Sequence, residues 1–167
     1  TRSGANQNIP AIDYYNLKLS GSNSKLVQAA LDVDGNLEIV GTCIFDANGN
    51  DITLAGNWTS TSTNAFDEET RRVTFDGAGD QTVTSTVTET FYNVTLSKAS
   101  GAVNFNSNAT IGNDITLDGN FDAWVVNGAV TVTSDVLLDS DDDVDRNYTV
   151  SGLGSLSVGA TFNLGGG

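Results

Sequence analysis

The feature that most constrains this chain is the recurrence of short segments with nearly the same sequence. Gly49–Trp58 (GNDITLAGNW) recurs as Gly112–Phe121 (GNDITLDGNF), and Tyr15–Ser20 (YNLKLS) recurs as Tyr92–Ser97 (YNVTLS). Gly35–Gly41 (GNLEIVG) is a looser copy of the first pattern. A chain that coils on copies of itself must bend at the same place in every turn, so a repeated Gly-Asn entry before a strand is typical of a solenoid.

Apolar and polar residues alternate with a period of two within these segments. The alternation is clearest in residues 16–19, 51–54, 114–117 and 130–132, and it is the period of strands with one buried face. Thr, Val, Ile, Phe and Tyr fill the runs, whereas Gly, Asn, Asp and Ser separate them. The one stretch that could hold a helical turn, 65–70, is interpreted as a loop, and the sequence predicts an all-β protein.

The fold class that we predict is a parallel β-solenoid, or β-helix, of short strands. About eighteen strands at three per coil give roughly six coils of about twenty residues each. Asn residues stacked at equivalent corners are expected to hydrogen-bond from coil to coil as a ladder. A β-sandwich is the alternative, because it also uses short strands. We favour the solenoid because near-identical segments recur and tight two-residue hairpin turns are few.

We expect a single repetitive β domain over residues 1–167. It comprises a partial repeat at 14–56, a fuller repeat at 57–135, an acidic loop at 139–146 and final strands at 147–164. The one cysteine, Cys43, lies in a strand-like run, and we expect it in the core as a small apolar residue.

Composition excludes several classes of function. The chain has 21 acidic against 7 basic residues, a formal net charge of −14, and no histidine. Histidine is the usual general base and the commonest transition-metal ligand. A chain this acidic is not expected to bind the phosphate backbone of a nucleic acid. Its apolar runs are far shorter than the roughly 18 residues of a membrane span, so membrane insertion is not expected either.

Two short segments resemble the opening of a calcium loop. In each, oxygen side chains alternate around a glycine, as hard cations prefer. The predicted ligands are Asp32 and Asp34 in the first segment, and Asp46, Asn48 and Asn50 in the second. Neither segment has the distal bidentate Glu of the helix-loop-helix site, so an Asx-rich turn between strands is the favoured alternative.

A third acidic segment is the preferred calcium candidate. Its five carboxylates are so close that they repel one another unless they are solvated or bridged by a cation. The residues concerned are Asp139, Asp141, Asp142, Asp143 and Asp145. A solvated loop is the alternative, and Arg146 would neutralise part of the charge.

Catalysis is not expected, and the alternative function is a carbohydrate-active enzyme or a sugar-binding module. Glycosidases need only two carboxylates about 5–10 Å apart, and a chain this rich in Asp has such pairs by composition alone. Trp58, Phe121 and Trp124 could form a strip that stacks on sugars, but aromatic residues in strands more often belong to the core. We therefore predict no catalytic residues and no organic cofactor.

A wider order of motifs resembles a known family. GNWT at 56–59, VTFDGAGDQTV at 73–83, TFYNVTL at 90–96 and NATIGNDITL at 108–117 follow one another. This order is similar to a repeat in the adhesin-like β-solenoid surface proteins of bacteria that export through the type IX route. The match covers roughly 49–135, with a partial copy at 14–41. The acidic run and the lack of a recognisable C-terminal sorting domain depart from the family, and the second departure fits a fragment or a processed subunit.

The resemblance implies an extracellular, repetitive, non-catalytic scaffold at the cell surface. We accordingly expect a secreted structural or adhesive module of a filament or a large adhesin. Its expected partners are copies of itself or adjacent repeats, since open strand edges at the ends of a solenoid favour head-to-tail stacking. Surface polysaccharide is a second expected partner.

Overall fold

The fold is described from a computed structural model, which covers residues 5–119, 123–138 and 150–160 and the backbone of 162–163. These residues form 21 short strands and no helix. The strands wind as a parallel β-solenoid of about six turns, as predicted, and they line three long faces. In each turn the chain passes from face I to face II to face III.

Faces I and III each consist of one seven-stranded sheet. The strands of face I are β2 (Leu17–Leu19), β5 (Leu37–Ile39), β8 (Trp58–Ser60), β10 (Gln81–Ser85), β13 (Ala102–Phe105), β16 (Ala123–Val126) and β19 (Val150–Ser151). Those of face III are β4 (Leu31–Val33), β7 (Ile52–Leu54), β9 (Arg72–Phe75), β12 (Asn93–Lys98), β15 (Ile115–Gly119), β18 (Val136–Leu138) and β21 (Phe162–Asn163).

Face II is divided into two sheets. Sheet IIa contains β1 (Gln7–Ile9), β3 (Ser22–Val27) and β6 (Thr42–Asp46), and sheet IIb contains β11 (Glu89–Phe91), β14 (Ala109–Ile111), β17 (Ala129–Val132) and β20 (Ser155–Val158). Between the two sheets runs the loop 61–71, which is joined to β6 by a parallel bridge between Asp46 and Asp67. This loop includes the stretch 65–70, which was correctly predicted to be irregular.

The strand pairings described are all parallel, so the β-sandwich alternative is wrong. On face III a constant step in sequence number leads from Leu31 to Ile52, then to Val73, Val94, Ile115 and Val136. These side chains are buried. Ile52 and Ile115, from the two copies of the longest repeated segment, therefore lie in one inward-facing column, as the repeat predicts.

The other repeated segments lie on different faces from their copies. Tyr15–Ser20 contains β2 of face I, whereas Tyr92–Ser97 contains β12 of face III. Likewise Gly35–Gly41 contains β5 of face I, although its better copies enter face III. The short motif therefore encodes a corner followed by a strand, and it does not encode which of the three corners is used.

The core is a single column of inward side chains along the solenoid axis. Aromatic rings form a continuous path through it, with centroids 5.8 Å apart for Phe45–Trp58, 5.1 Å for Trp58–Phe91, 6.3 Å for Phe91–Phe105 and 6.0 Å for Phe105–Trp124. Both tryptophans are fully buried. The Phe45–Trp58 pair is tilted and the other three are edge-to-face, and such aromatic pairs add about 0.5–1.5 kcal/mol each beyond area burial.

The predicted asparagine ladder is present at the corner that enters face I. Asn36 N–H donates to Asn16 Oδ1 at 2.7 Å, and Asn57 N–H donates to Asn36 Oδ1 at 2.8 Å. The next coil continues the ladder, because Thr82 N–H donates to Asn57 Oδ1 at 2.8 Å. Each side chain thus satisfies a corner N–H of the following coil, which the strand ladders cannot reach.

The glycine beside this ladder is required by the close approach of successive coils. A Cβ atom on Gly56 would overlap the carbonyl group of Gly35, and one on Gly77 would overlap the carbonyl oxygen of Ala55. The Gly-Asn pair therefore has two structural roles at this corner. Glycine lets the backbones approach, and asparagine bonds the coils together.

The cross-section changes once along the axis, although the step from coil to coil on face III stays constant. From face I to face III the early coils use a long connection, as from Leu37 to Ile52, and the later coils use a shorter one, as from Phe105 to Ile115. The connection that returns from face III to face I becomes longer in compensation. It is short between Ile52 and Trp58, and it is longer between Val73 and Val83. This exchange divides face II and widens the corner that leads into β10.

Candidate functional site

The predicted calcium ligands around Gly49 form a hydrogen-bonded turn. Asp46 Oδ1 accepts from Asn48 N–H at 2.8 Å, and the side-chain amides of Asn48 and Asn50 donate to the Val27 carbonyl at 2.8 and 3.1 Å. Asn48 has a left-handed φ of 47°. These contacts are those of an Asx turn stacked on the coil before it. Calcium binding at this turn remains a prediction.

The acidic groups near this turn influence one another. Burial raises the pKa of Asp46, and the carboxylates of Asp67 and Glu69 raise it further, whereas the hydrogen bond from Asn48 lowers it. Over residues 5–119, 123–138 and 150–160, no group of three or more Asp, Glu, Cys or His side chains is arranged to hold a metal ion.

The other predicted ligands lie elsewhere. Asp32 and Asp34 are exposed at face III, apart from the turn at Gly49. The preferred calcium candidate, residues Asp139, Asp141, Asp142, Asp143 and Asp145, lies outside the described residues. Of the three predicted segments the structure describes two, and these two do not form a joint metal-binding group.

The outer surface of face III is acidic. Asp32 of the edge strand β4 is in register with Thr53, and Asp118 accepts a hydrogen bond from the Ser97 hydroxyl at 2.8 Å, while Arg72 is the exposed cation of β9. Burial raises the pKa of Asp76, the charges of Asp32 and Asp34 add to the shift, and Lys98 opposes it. Between these carboxylates runs a column of in-register threonines, namely Thr53, Thr74, Thr95 and Thr116.

Sheet IIb presents a different outer surface. Its central outward column is Thr90, Thr110, Thr131 and Ser157, and Ala129 and Ser155 lie beside it. The outward strand positions of this sheet that the structure describes carry no charge, although the chain has a net charge of −14. The solenoid thus has a carboxylate-bearing face and a hydroxyl-bearing face whose strands carry no outward charge, although the Glu68 carboxylate of the loop 61–71 reaches Thr90 at its edge.

Two aromatic candidates for sugar stacking are core residues. Trp58 and Trp124 are fully buried and pack in the aromatic path, while Phe121 lies outside the described residues. Cys43 is also buried, as predicted. Burial raises the pKa of its thiol, and the nearby charge of Lys25 opposes this shift, so Cys43 is a packed core residue and not an activated nucleophile.

The widened corner before β10 contains a buried lysine. Lys98 Nζ donates to the carbonyl oxygens of Gly77 and Gly79, the latter at 2.7 Å, and to Gln81 Oε1 at 2.8 Å. Gln81 Nε2 donates in turn to the carbonyls of Leu54 and Gly56 at 2.8 and 2.7 Å. Burial lowers the pKa of Lys98, and the charges of Asp80 and Asp76 oppose that shift. The ammonium group thus bonds three acceptors of the enlarged corner.

A buried glutamate lies where face II is divided. Glu89, the first residue of β11, is 0% exposed. One carboxylate oxygen accepts from Phe66 N–H at 2.6 Å, and the other accepts from Trp58 Nε1 at 3.2 Å. Burial raises the pKa of Glu89, and these hydrogen bonds, with others from the Ser85 hydroxyl and Thr90 N–H, oppose the shift.

A cleft of about 220 Å³ lies at the first coil. Its walls include Ile9, Leu17 and Leu19 of the core, together with Tyr14 and Lys25. Lys25 Nζ donates to Gln7 Oε1 at 2.7 Å and to the Ser22 carbonyl at 3.0 Å. The cleft therefore lies next to the first layer of core side chains, at the end of the solenoid.

The buried Glu89 and Lys98 were not recognised from the sequence as special residues. A signal for both was present, because a strand alternates its two faces. Glu89 lies two residues before the core residue Phe91 in one strand, and Lys98 lies two residues after Leu96 in another. Both side chains therefore point inward.

Comparison with known proteins gives no relative from which a function can be transferred. Among the described residues there is no helix long and apolar enough to cross a membrane. No protein-family model, no curated protein and no solved structure matches the chain.

Proposed function

We propose that this chain is an extracellular structural or adhesive module of a cell-surface fibre or large adhesin, which acts through its surface and without catalysis. The observation that carries the proposal is the repetition of outward side chains in columns along faces II and III. In such columns the same contact recurs about every 4.8 Å, the spacing of neighbouring strands. A partner with its own repeat can then bind at many weak points at once.

The buried polar groups are consistent with a scaffold. Lys98 and Gln81 bond backbone carbonyls of a corner, and Glu89 bonds a backbone N–H and an indole. Each group thus has structural partners. In a catalytic site, by contrast, titratable groups converge on a space that a substrate can enter.

The location of the protein is part of the same proposal. The resemblance of 49–135 to surface proteins of the type IX kind supports secretion to the cell surface. The low pI of about 4.1 supports a solvated, mutually repelling surface. Within this proposal, surface polysaccharide is the partner for the uncharged sheet IIb, because neutral sugars hydrogen-bond to hydroxyl groups without needing an opposite charge.

Depletion from solution by cellulose and chitin particles tests the adhesive role. We expect Thr110→Lys/Thr131→Lys on sheet IIb to weaken binding, and Thr74→Lys/Thr116→Lys on face III to leave it nearly unchanged. The two variants carry the same substitutions and the same charge, so each controls for the other. Equal loss in both, or no binding by the parent chain, would contradict the proposed surface.

Head-to-tail self-association is the second part of the proposal. Parallel strand edges at the ends of a stack present unpaired N–H and C=O groups, which favour addition of another stack. Sedimentation velocity of the purified chain, with and without a calcium chelator, measures this directly. We expect concentration-dependent association that the chelator reduces, and a compact monomer in both conditions would contradict it.

The alternative function, a carbohydrate-active enzyme or sugar-binding module, loses one support because Trp58 and Trp124 are buried. Turnover of a polysaccharide that is abolished by a single Asp substitution would decide in favour of the enzyme.

A further inference from the structure

Where face II changes from sheet IIa to sheet IIb, the loop 61–71 is held by backbone hydrogen bonds on one side and by side chains on the other. On the IIa side, the loop 61–71 continues the backbone ladder, since Asp67 N–H donates to the Phe45 carbonyl at 2.8 Å and Ala47 N–H donates to the Asp67 carbonyl at 2.9 Å. On the IIb side, Phe66 N–H donates to the Glu89 carboxylate. The Phe66 carbonyl lies 2.8 Å from the Thr90 hydroxyl. We call this junction the seam.

We propose that the seam is a pH-responsive joint, in which ionised Glu89 favours lifting of the loop 61–71 and protonated Glu89 keeps the loop closed. The joint consists of a buried carboxylate, the loop that covers it and the aromatic residue that the loop inserts. Phe66 is 3% exposed, and its ring stacks on Phe45 at 5.0 Å and meets Trp58 at 5.2 Å.

No cation compensates the charge of Glu89 in the described seam. Its hydrogen-bond donors are neutral groups of Phe66, Trp58, Ser85 and Thr90. On the neighbouring coil, Ala109 of β14 is its strand partner.

The titratable groups on the surrounding elements are mostly acidic, and the two cations, Arg71 at the end of the loop and Lys25 of β3, are not among the groups that set the pKa of Glu89. From the loop, Glu68 lies 3.0 Å from the Thr90 hydroxyl, and the exposed Asp67 and Glu69 act on Asp46 of β6. Cys43 of β6 has a raised pKa and stays neutral. These groups leave the Glu89 charge unpaired, and burying an unpaired carboxylate is costly.

The direction of the pH effect follows from this burial. The pKa of Glu89 is raised above 4.5 in the closed seam, and it returns toward 4.5 when the loop lifts and water reaches the carboxylate. Below pH 4.5 both states are protonated, so the charge has no effect on opening. As the pH rises from 4.5 to the raised pKa, opening becomes easier by up to about tenfold per pH unit, and it then levels off.

Amide hydrogen exchange of Phe66 tests the proposal, after correction for the intrinsic base-catalysed rate. We expect protection of Phe66 to fall as the pH rises from 4.5 toward neutrality. In Glu89→Gln, which mimics the protonated side chain, protection should lose this pH dependence. Ser62→Ala removes the hydrogen bond from the Ser62 hydroxyl to the Cys43 carbonyl at 2.7 Å, a loop contact that does not titrate, so it should lower protection by the same factor at every pH.

The two tryptophans provide a second readout that needs no variant at Glu89. Trp58 donates its indole N–H to Glu89, whereas within the described residues the buried Trp124 indole N–H has no hydrogen-bond partner. The indole resonance of Trp58 should titrate with Glu89, while that of Trp124 stays constant, with Trp124→Phe giving the assignment. The proposal is overturned if the Trp58 resonance does not titrate, if Phe66 protection in the parent is independent of pH, or if Glu89→Gln keeps the parent's pH dependence.

Discussion

Replacing Lys98 tests whether the ammonium group, or only its aliphatic stem, supports the widened corner. Lys98→Met keeps most of the stem and removes the three hydrogen bonds to Gly77, Gly79 and Gln81. Gln81 Oε1 keeps the Gly77 N–H as a donor at 3.0 Å, and Gly79 is exposed, so water can replace the ammonium there. The Gly77 carbonyl is buried and loses its donor.

The expected cost of Lys98→Met is therefore that of one buried acceptor left without a partner, about 1–3 kcal/mol. Relief from burying an ammonium group offsets part of that cost. Lys98→Ala additionally removes three buried methylene groups at about 0.8 kcal/mol each. We thus expect Lys98→Ala to be the less stable of the two variants by about 2 kcal/mol.

Urea unfolding followed by the fluorescence of Trp124 and Trp58 measures both variants against the parent. The free energy of unfolding must fall with urea concentration at the same slope in all three chains, because repeat proteins lose cooperativity easily. A Met variant as stable as the parent would refute the reasoning, since an apolar side chain would then fill the corner equally well.

Three further predictions concern contacts in the structure, and a fourth concerns the acidic segment 139–145. Asn57→Ala should cost about 1 kcal/mol of unfolding free energy because Thr82 N–H loses its acceptor, whereas Asn57→Asp keeps an acceptor and should cost less; thermal melting compares the two. Gly56→Ala should destabilise by about 2–3 kcal/mol through backbone overlap, and Gly79→Ala, whose Cβ would meet nothing within 4 Å, is its near-neutral control in the same assay. Cys43 should react with a thiol reagent at the rate of unfolding, and rapid labelling in native buffer would contradict its burial. Calorimetric titration should detect calcium binding that is lost when the five aspartates at 139, 141, 142, 143 and 145 are changed to Asn, and equal heat in both chains would exclude that site.

The all-β coil was predictable because it depends on local patterns. Alternation places Ile52 and Leu54 on one side of a strand, and duplication of their segment requires an equivalent place for Ile115 and Leu117. The corner ladder was predictable for the same reason, since Asn36 and Asn57 each precede an alternating run. These inferences needed only residues that are close together in the sequence.

What could not be predicted depends on contacts between coils. At one point along the axis the connection through face II becomes shorter and the corner before β10 becomes longer. The step between coils on face III does not change there, so the repeat on that face does not reveal the exchange. The positions of Glu89 and Lys98 follow from this exchange of chain length. Glu89 lies where face II is divided, and Lys98 fills the widened corner before β10. For the calcium candidates, the pattern gave the oxygen atoms, but it did not reveal that Asn48 and Asn50 use their amides to bond the coil before them.

The constant step on face III makes each later coil a removable cassette. Excising residues 95–115 would join Val94 to Thr116, and β12 would then continue directly into the second half of β15 without shifting any later strand. It also removes Lys98, at the cost worked out above, but it keeps Glu89 and its hydrogen-bond donors. Excising 74–94 also preserves the step, but it deletes Glu89 and places the Phe66 N–H against β14, where Ala109 has no carboxylate to receive it. The second excision also removes Gly77, Gly79 and Gln81, so Lys98 would be buried without its acceptors. The second shortened chain should therefore be the less stable of the two, so the molecule tolerates the loss of a whole coil better beyond the seam than at it.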